Sequence, residues 1–185
     1  DRLLIGVYDF DSRPDWRTLS YIALKEQEYK KQGRSPIDFY QQTQLPYKNI
    51  KDIDSISKSK NLMKANVIMY TSRALGIEIF KILRYRKHLE RGRFRFMRPV
   101  INCLGAGMFI EKGILKEIGG FAEPVEDLVL GYQLNIKNKY VEPIPYINIM
   151  MPYLFMKEMI NSHSRVFMIG LRLYWEGKYI EPGKG

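Results

Sequence analysis

The chain has 185 residues, 45% hydrophobic and 27% charged, a globular balance that excludes wholesale disorder and suffices for one sizeable core. Thirty Lys and Arg against 20 Asp and Glu give a formal charge of +10, which favours anionic partners: nucleic acid, lipid head groups or phosphorylated ligands. A single cysteine, Cys103, excludes an intramolecular disulfide and fits a reducing compartment, and no apolar run reaches the ~18 residues of a membrane-spanning helix.

The first element is Leu3-Leu4-Ile5-Gly6-Val7-Tyr8-Asp9-Phe10-Asp11, closed by Ser12-Arg13-Pro14. A run of branched and aromatic residues bounded by turn formers reads as a buried, parallel-type strand. Residues two apart on a strand share a face, so Asp9 and Asp11 are expected together and Phe10 on the opposite, packed face. Like charges held that close are costly unless a cation sits between them. A hard divalent ion with oxygen ligands suits the pair, and phosphate oxygens would complete its shell. Asp-x-Asp also occurs as a solvated turn or a helix cap. Its position at a strand end, where open α/β sheets bind ligands, favours the metal. The chain opens on Asp1 and almost directly on this strand, as a piece of a longer protein would.

Pro14 suits the first position of a helix, and Trp16, Leu19, Ile22 and Ala23 carry helical spacing on to about Lys31. After the break Gly33-Arg34-Ser35-Pro36, Ile37 to Gln42 reads as a short strand, ended by Leu45-Pro46-Tyr47-Lys48-Asn49. Residues 48–61 are polar and read as a solvated loop with some helix. Asn66 to about Glu90 is the longest helical candidate, with Ile68, Leu75, Ile79 and Ile82 on one stripe. It merges into a basic segment: Lys81, Arg84, Arg86, Lys87, Arg91, Arg93, Arg95 and Arg98 against the single acid Glu90, interleaved with Phe80, Tyr85, Phe94 and Phe96. Such runs are usually solvated faces. The sharper expectation is an anionic contact, each basic group near anionic lipid adding about 1 kcal/mol.

Pro99 to Ile110 is apolar around Gly105-Ala106-Gly107, where glycine marks a bulge or a close backbone approach; tight packing is the simplest account and a phosphate cradle the weaker one. Gly113 to Glu117 is a short helix with Ile114, Leu115 and Ile118 inward, terminated by Gly119-Gly120. Glu126-Asp127 opens a helix reaching Leu134, where the macrodipole favours acids. A charge cap explains the pair most simply; the functional alternative is a general base with an orienting partner. Lys139 to Ile149 reads as a strand closed by Met150-Met151-Pro152. Tyr153 to Trp175 is amphipathic, Met-rich and helical, and carries His163 and Arg165. A lone histidine on such a helix is more often structural than a ligand.

The ordered combination of the Asp-x-Asp strand, "Gly-Ala-Gly-Met-Phe-Ile", "Lys-Glu-Ile-Gly-Gly-Phe" and "Glu-Asp-Leu-Val-Leu-Gly" resembles the second half of a family 2 glycosyltransferase with the GT-A fold, over roughly residues 3–175. The resemblance implies an α/β fold, a mixed sheet flanked by helices, with the family's N-terminal half absent. Residues 1–185 would form one partial catalytic domain, 1–110 carrying the metal strand and basic segment and 111–185 the acceptor side and base. It also implies transfer of a sugar, with inversion, from a nucleotide-diphosphate donor (usually a uridine diphosphate sugar) to a polysaccharide or lipid-linked acceptor. Asp9 and Asp11 match the carboxylates that hold Mg²⁺ or Mn²⁺, Asp127 beside Glu126 matches the catalytic base, and Gly105-Ala106-Gly107 matches the segment lining the acceptor side.

One departure is specific. Processive members carry Gln-x-x-Arg-Trp beyond the base, and here Ser162-His163-Ser164-Arg165-Val166 keeps only the arginine. Arg165 would clamp diphosphate and His163 would join the metal, while polymer synthesis is less expected. The basic segment 81–98 and the missing spanning helices predict a cytoplasmic location at the inner face of a membrane. The competing expectation is a non-catalytic basic module that binds nucleic acid or an anionic membrane. It ranks second because it leaves both acidic pairs without a role. A degenerate transferase kept as a scaffold ranks third.

Overall fold

The computed structural model describes residues 2–48, 60–91, 99, 101, 103–121 and 126–151, together with 157, 160, 161 and 164. In chain order come β1 (Leu4–Val7), β2 (Arg13–Pro14), α1 (Arg17–Lys31), β3 (Phe39–Leu45) and α2 (Lys60–Arg73). A π-helical turn (Ala74–Glu78) joins α2 to α3 (Ile79–Glu90), and β4 (Met108–Glu111), α4 (Lys112–Glu117), α5 (Glu126–Ile136) and β5 (Val141–Ile149) follow. The strands form one five-stranded mixed sheet in the order β1-β4-β3-β5-β2. β3 and β5 are parallel and the remaining pairs antiparallel, so β1, β3 and β5 run the same way and end along one edge.

Every residue of β3 is buried, because helices cover both faces of the sheet. Strand alternation sorts the side chains. Phe39, Met108, Ile110 and Val141 pack with Ile82 and Tyr85 of α3 and Leu130 and Leu134 of α5. Tyr40, Phe109 and Ile144 pack on the other side with Ile22 and Tyr29 of α1. Each such side chain contributes about 1.5–3 kcal/mol when fully withdrawn from water. The expected mixed α/β sheet flanked by helices is therefore present. Where α1, α3 and β5 meet, the buried Glu142 carboxylate is held by the Arg86 guanidinium and by the Tyr21 hydroxyl at 3.0 Å.

Several local expectations need correction. Among the described residues β1 is an antiparallel edge strand paired only with β4, half-buried rather than enclosed. Its apolar run is real, but Gly6 is exposed, and a Cβ there would stand 2.8 Å from the Phe109 ring. Pro14 belongs to β2, opposite Asn148, an edge position that tolerates a missing N–H. α1 starts at Arg17, whose backbone N–H donates to the Asp15 carboxylate at 2.9 Å, and the Arg17 guanidinium holds the Asp15 carboxyl down at about 2. The buried stripe of α1 is Thr18, Ile22 and Tyr29, while Trp16 and Leu19 face solvent.

The long helix begins at Lys60 and buries Met63, Val67, Ala74, Glu78, Ile82 and Tyr85. Of the expected stripe only Ile82 is buried; Ile68 and Leu75 point outward. The helix is apolar on two sides, so periodicity alone does not choose between them. Glu78 is tolerated inside because Arg73 (3.2 Å) and Lys81 (3.4 Å) reach it. The short helix α4 matches expectation, with Ile114, Leu115 and Ile118 packed on the core. Gly119 and Gly120, at φ of +88° and +87°, return their N–H groups to Lys116 and Leu115 carbonyls and close it. Among the described residues no helix is long and apolar enough to cross a membrane. Arg93, Phe94, Arg95, Phe96 and Arg98, most of the 48–61 loop, His163 and Arg165 lie outside the described residues.

Candidate active site

The Gly105-Ala106-Gly107 segment is a tight loop entering β4, pinned on both sides. The Gly107 N–H donates to the Val7 carbonyl at the end of β1 (2.8 Å), and its carbonyl accepts from the Gln42 N–H of β3 (2.7 Å). Gly107 has φ +68°, and a Cβ there would lie 3.0 Å from the Gln42 Cβ, so glycine is required twice over.

Two buried glutamines clamp the same loop. Gln44 Nε2 donates to the carbonyls of Leu104 (3.0 Å) and Ala106. Gln41 Nε2 reaches the same carbonyls at 3.4 and 3.3 Å, and its Oε1 accepts from the Leu104 N–H at 3.0 Å. Residues three apart face opposite sides of a regular strand. Here the β3–β5 register jumps, Gln42 opposing Ile144 and Thr43 opposing Ile147, next to Pro143 and Pro145 of β5. That irregularity lets both amides serve one loop. Gln42 completes the polar row: Nε2 donates to Thr18 Oγ1 (2.9 Å) and Oε1 accepts from the Tyr8 hydroxyl (2.8 Å). Burial pushes the Tyr8 phenol up to about 12. These glutamines are absent from the sequence-derived set. Their signal was the polar run Gln41-Gln42-Thr43-Gln44 inside a segment otherwise fit for a core.

Asp127 stands in the first turn of α5, with its Oδ1 accepting from the Leu128 N–H at 2.8 Å. Its Oδ2 lies 3.7 Å from where a Cβ on Gly105 would be. The candidate base and the glycine loop are thus brought together, with no side chain at 105 between them. Beside them Cys103 is buried, and burial, reinforced by the Asp127 charge, pushes its thiol well up, so it stays protonated. Glu126 opens α5 as expected, and its side chain lies outside the described residues.

Asp9 and Asp11 are not on a strand. β1 ends at Val7, and residues 9–12 form a turn closed by the Ser12 N–H on the Asp9 carbonyl at 3.0 Å. Phe10, expected on a packed face, is fully exposed. The cause is topological: β1 and β2 are opposite edges of the sheet, so the intervening residues must cross its end. The crossing is strapped down as it goes. Asp11 Oδ2 accepts from the Met151 N–H (2.9 Å), its carbonyl from Lys48 Nζ (2.9 Å), and Ser12 Oγ from Asn148 Nδ2 (3.0 Å). Asp9 stands at the surface of the turn. The crossing therefore runs over the carboxyl edge of β1, β3 and β5, the edge at which the Gly105–Gly107 loop enters β4. This is where open α/β sheets bind ligands.

Two carboxylates on this turn are hard oxygen donors of the kind Mg²⁺ or Mn²⁺ takes. Among the described residues no group of three or more His, Cys, Asp or Glu converges on a metal position. An ion held by these two carboxylates would take its remaining oxygens from a phosphorylated ligand and water. No protein-family model matches the chain, and no curated protein or solved structure is significantly similar to it.

Proposed function

We propose that this chain is the catalytic segment of an inverting, metal-dependent glycosyltransferase of the GT-A type in family 2. It would transfer a sugar from a nucleoside-diphosphate donor, a uridine diphosphate sugar by the family's habit, to a hydroxyl of a glycan or lipid-linked acceptor at an anionic membrane face. The observation that carries this reading is the convergence at one sheet edge of the Asp9–Asp11 turn, the glycine loop and, against Gly105, Asp127.

Each part has a chemical task. Asp9 and Asp11 would hold Mg²⁺ or Mn²⁺, which when bound offsets the charge of the leaving diphosphate. The glycine loop leaves room for the acceptor beside Asp127. As the acceptor oxygen forms its bond to the anomeric carbon, the bond to the donor phosphate oxygen breaks on the opposite face. The Asp127 carboxylate takes the hydroxyl proton. The mixed, helix-flanked sheet agrees with a GT-A frame. The net charge of +10 favours a phosphorylated donor.

The test is Mn²⁺-dependent hydrolysis of a panel of nucleotide sugars by the full-length protein. Asp127→Asn should lower turnover about 10²–10⁴-fold, the usual worth of a general base, with metal–nucleotide binding intact. Asp9→Asn and Asp11→Asn should weaken the metal-dependent binding itself. A folded protein that neither binds nor turns over any nucleotide sugar overturns the proposal. Binding of nucleic acid that falls steeply with salt and ignores Asp127→Asn would replace it with the basic-module alternative.

A further inference from the structure

The helix from Lys60 to Glu90 needs only one apolar face to join the core, and it has two. The inward face carries Met63, Val67, Ala74, Ile82 and Tyr85. The outward face carries Leu62, Ile68, Met69, Ile77, Phe80 and Leu83, with Ile68 at 66% and Phe80 at 65% exposure. From Leu62 to Leu83 this strip runs about 30 Å at 1.5 Å per residue. An exposed apolar strip of that length marks an interaction surface.

Charge decides the partner. Residues 60–91 hold eight Lys and Arg against two acids, Glu78 and Glu90. Neither acid is offered outward unpaired: Glu78 is buried between Arg73 and Lys81, and Glu90 accepts from the Tyr140 hydroxyl at 2.6 Å with Arg34 and Arg86 close by. Arg84, Lys87 and Arg91 meet no carboxylate among the described residues and continue the exposed face beyond Leu83. Lys60 and Lys64 stand at the other end. A second copy of the chain would set this face against itself, cations meeting cations in either orientation. Nucleic acid would use the cations and leave the apolar strip wet. A bilayer with anionic head groups satisfies both, the strip entering the head-group boundary while the flanking bases pair with phosphates.

We propose that the outward face of α2 and α3 is a docking surface for an anionic lipid bilayer, on which the helix lies flat without crossing it. This deepens the membrane location in the transferase reading and is independent of its chemistry. It names a surface on the described helix in place of the arginines beyond Arg91.

The test is co-sedimentation of the full-length protein with phosphatidylcholine vesicles, with and without phosphatidylserine, across a salt series, with no donor sugar present. Binding should require phosphatidylserine and weaken with salt. The Ile77→Glu, Phe80→Glu double variant should weaken it at least tenfold, and Arg84→Glu, Lys87→Glu should abolish the preference for anionic lipid. All four side chains are exposed or at the rim, so each variant should keep the wild-type circular dichroism and melting temperature. Equal binding to neutral vesicles, or wild-type binding by a folded Ile77→Glu, Phe80→Glu variant, overturns the proposal. So does a dimer in sedimentation velocity that the same variant dissociates, because the face is then a contact between copies. Vesicle binding with neither binding nor turnover of any nucleotide sugar keeps this inference and removes the transferase; turnover without vesicle binding does the reverse.

Discussion

Removing both clamp glutamines should cost more than the sum of removing each. In Gln44→Leu the Leu104 and Ala106 carbonyls lose their shorter bonds but keep Gln41 Nε2 at 3.4 and 3.3 Å. The expected loss is about 1–2 kcal/mol, the net worth of one or two neutral hydrogen bonds. In Gln41→Leu the carbonyls keep Gln44, but the Leu104 N–H loses the acceptor it has at 3.0 Å. An orphaned, partly buried donor costs about 1–3 kcal/mol. The double variant strips both carbonyls as well, so a coupling of about 1–2 kcal/mol beyond additivity is expected, within the range for residues sharing a network. Urea unfolding of the four proteins of the cycle, with m-values compared, measures it directly. Additivity within about 0.5 kcal/mol would refute the clamp, because it would mean that water already serves those carbonyls. The cycle also bears on the proposed function, since the clamped loop carries Gly105, which faces Asp127.

Three further outcomes follow from the same geometry. Gly107→Ala, forced to φ +68° and against Gln42, should destabilise by about 1–2 kcal/mol, whereas Gly76→Ala, with open space around its Cβ in the middle of a helix, should stabilise by about 0.5–1 kcal/mol; thermal melts of the two variants should move in opposite directions. Arg86→Met leaves the buried Glu142 with Tyr21 but no cation, and chemical denaturation should show a loss of about 3 kcal/mol. Burial raises the Tyr8 phenol from 10.0 to about 12, and burial likewise raises Tyr21, Tyr40 and Tyr140. The fold prefers these phenols protonated, so their contribution is complete below pH 10.0 and is lost as pH rises through about 12; an alkaline titration by near-ultraviolet absorbance should show tyrosines ionising together with unfolding, and Tyr8→Phe should move that transition to higher pH.

The elements most legible in the sequence are those whose signals are local. α4 is bounded by Glu111, which accepts the Ile114 N–H at 2.8 Å, and by two glycines at positive φ, and such caps act within one turn of chain. β5 is similarly legible because a branched run sits between turn residues. The faces of α1 and of the long helix were not, because both carry apolar residues on more than one side. On the sides that pack, Thr18 reaches Gln42 in one case and ion pairs accommodate Glu78 in the other.

The candidate site divides along the same line. Asp127 at a helix start and glycine at 107 follow from local chemistry, and the fold adds only that Asp127 faces Gly105. For Asp9 and Asp11 the local rule predicts a strand, and the structure puts both on a turn beyond it. Strand alternation would aim both carboxylates from a rigid backbone into one place. Instead β1 stops at Val7 because the chain must reach β2 at the far edge, and only a crossing turn can get it there. The pair sits over the carboxyl edge because β1, β3 and β5 share a direction, a property of strand order that no window of sequence contains. A crossing turn is less preorganised than a strand end. Ion binding there should accordingly depend on the phosphate oxygens a donor brings, with weak affinity for the metal alone.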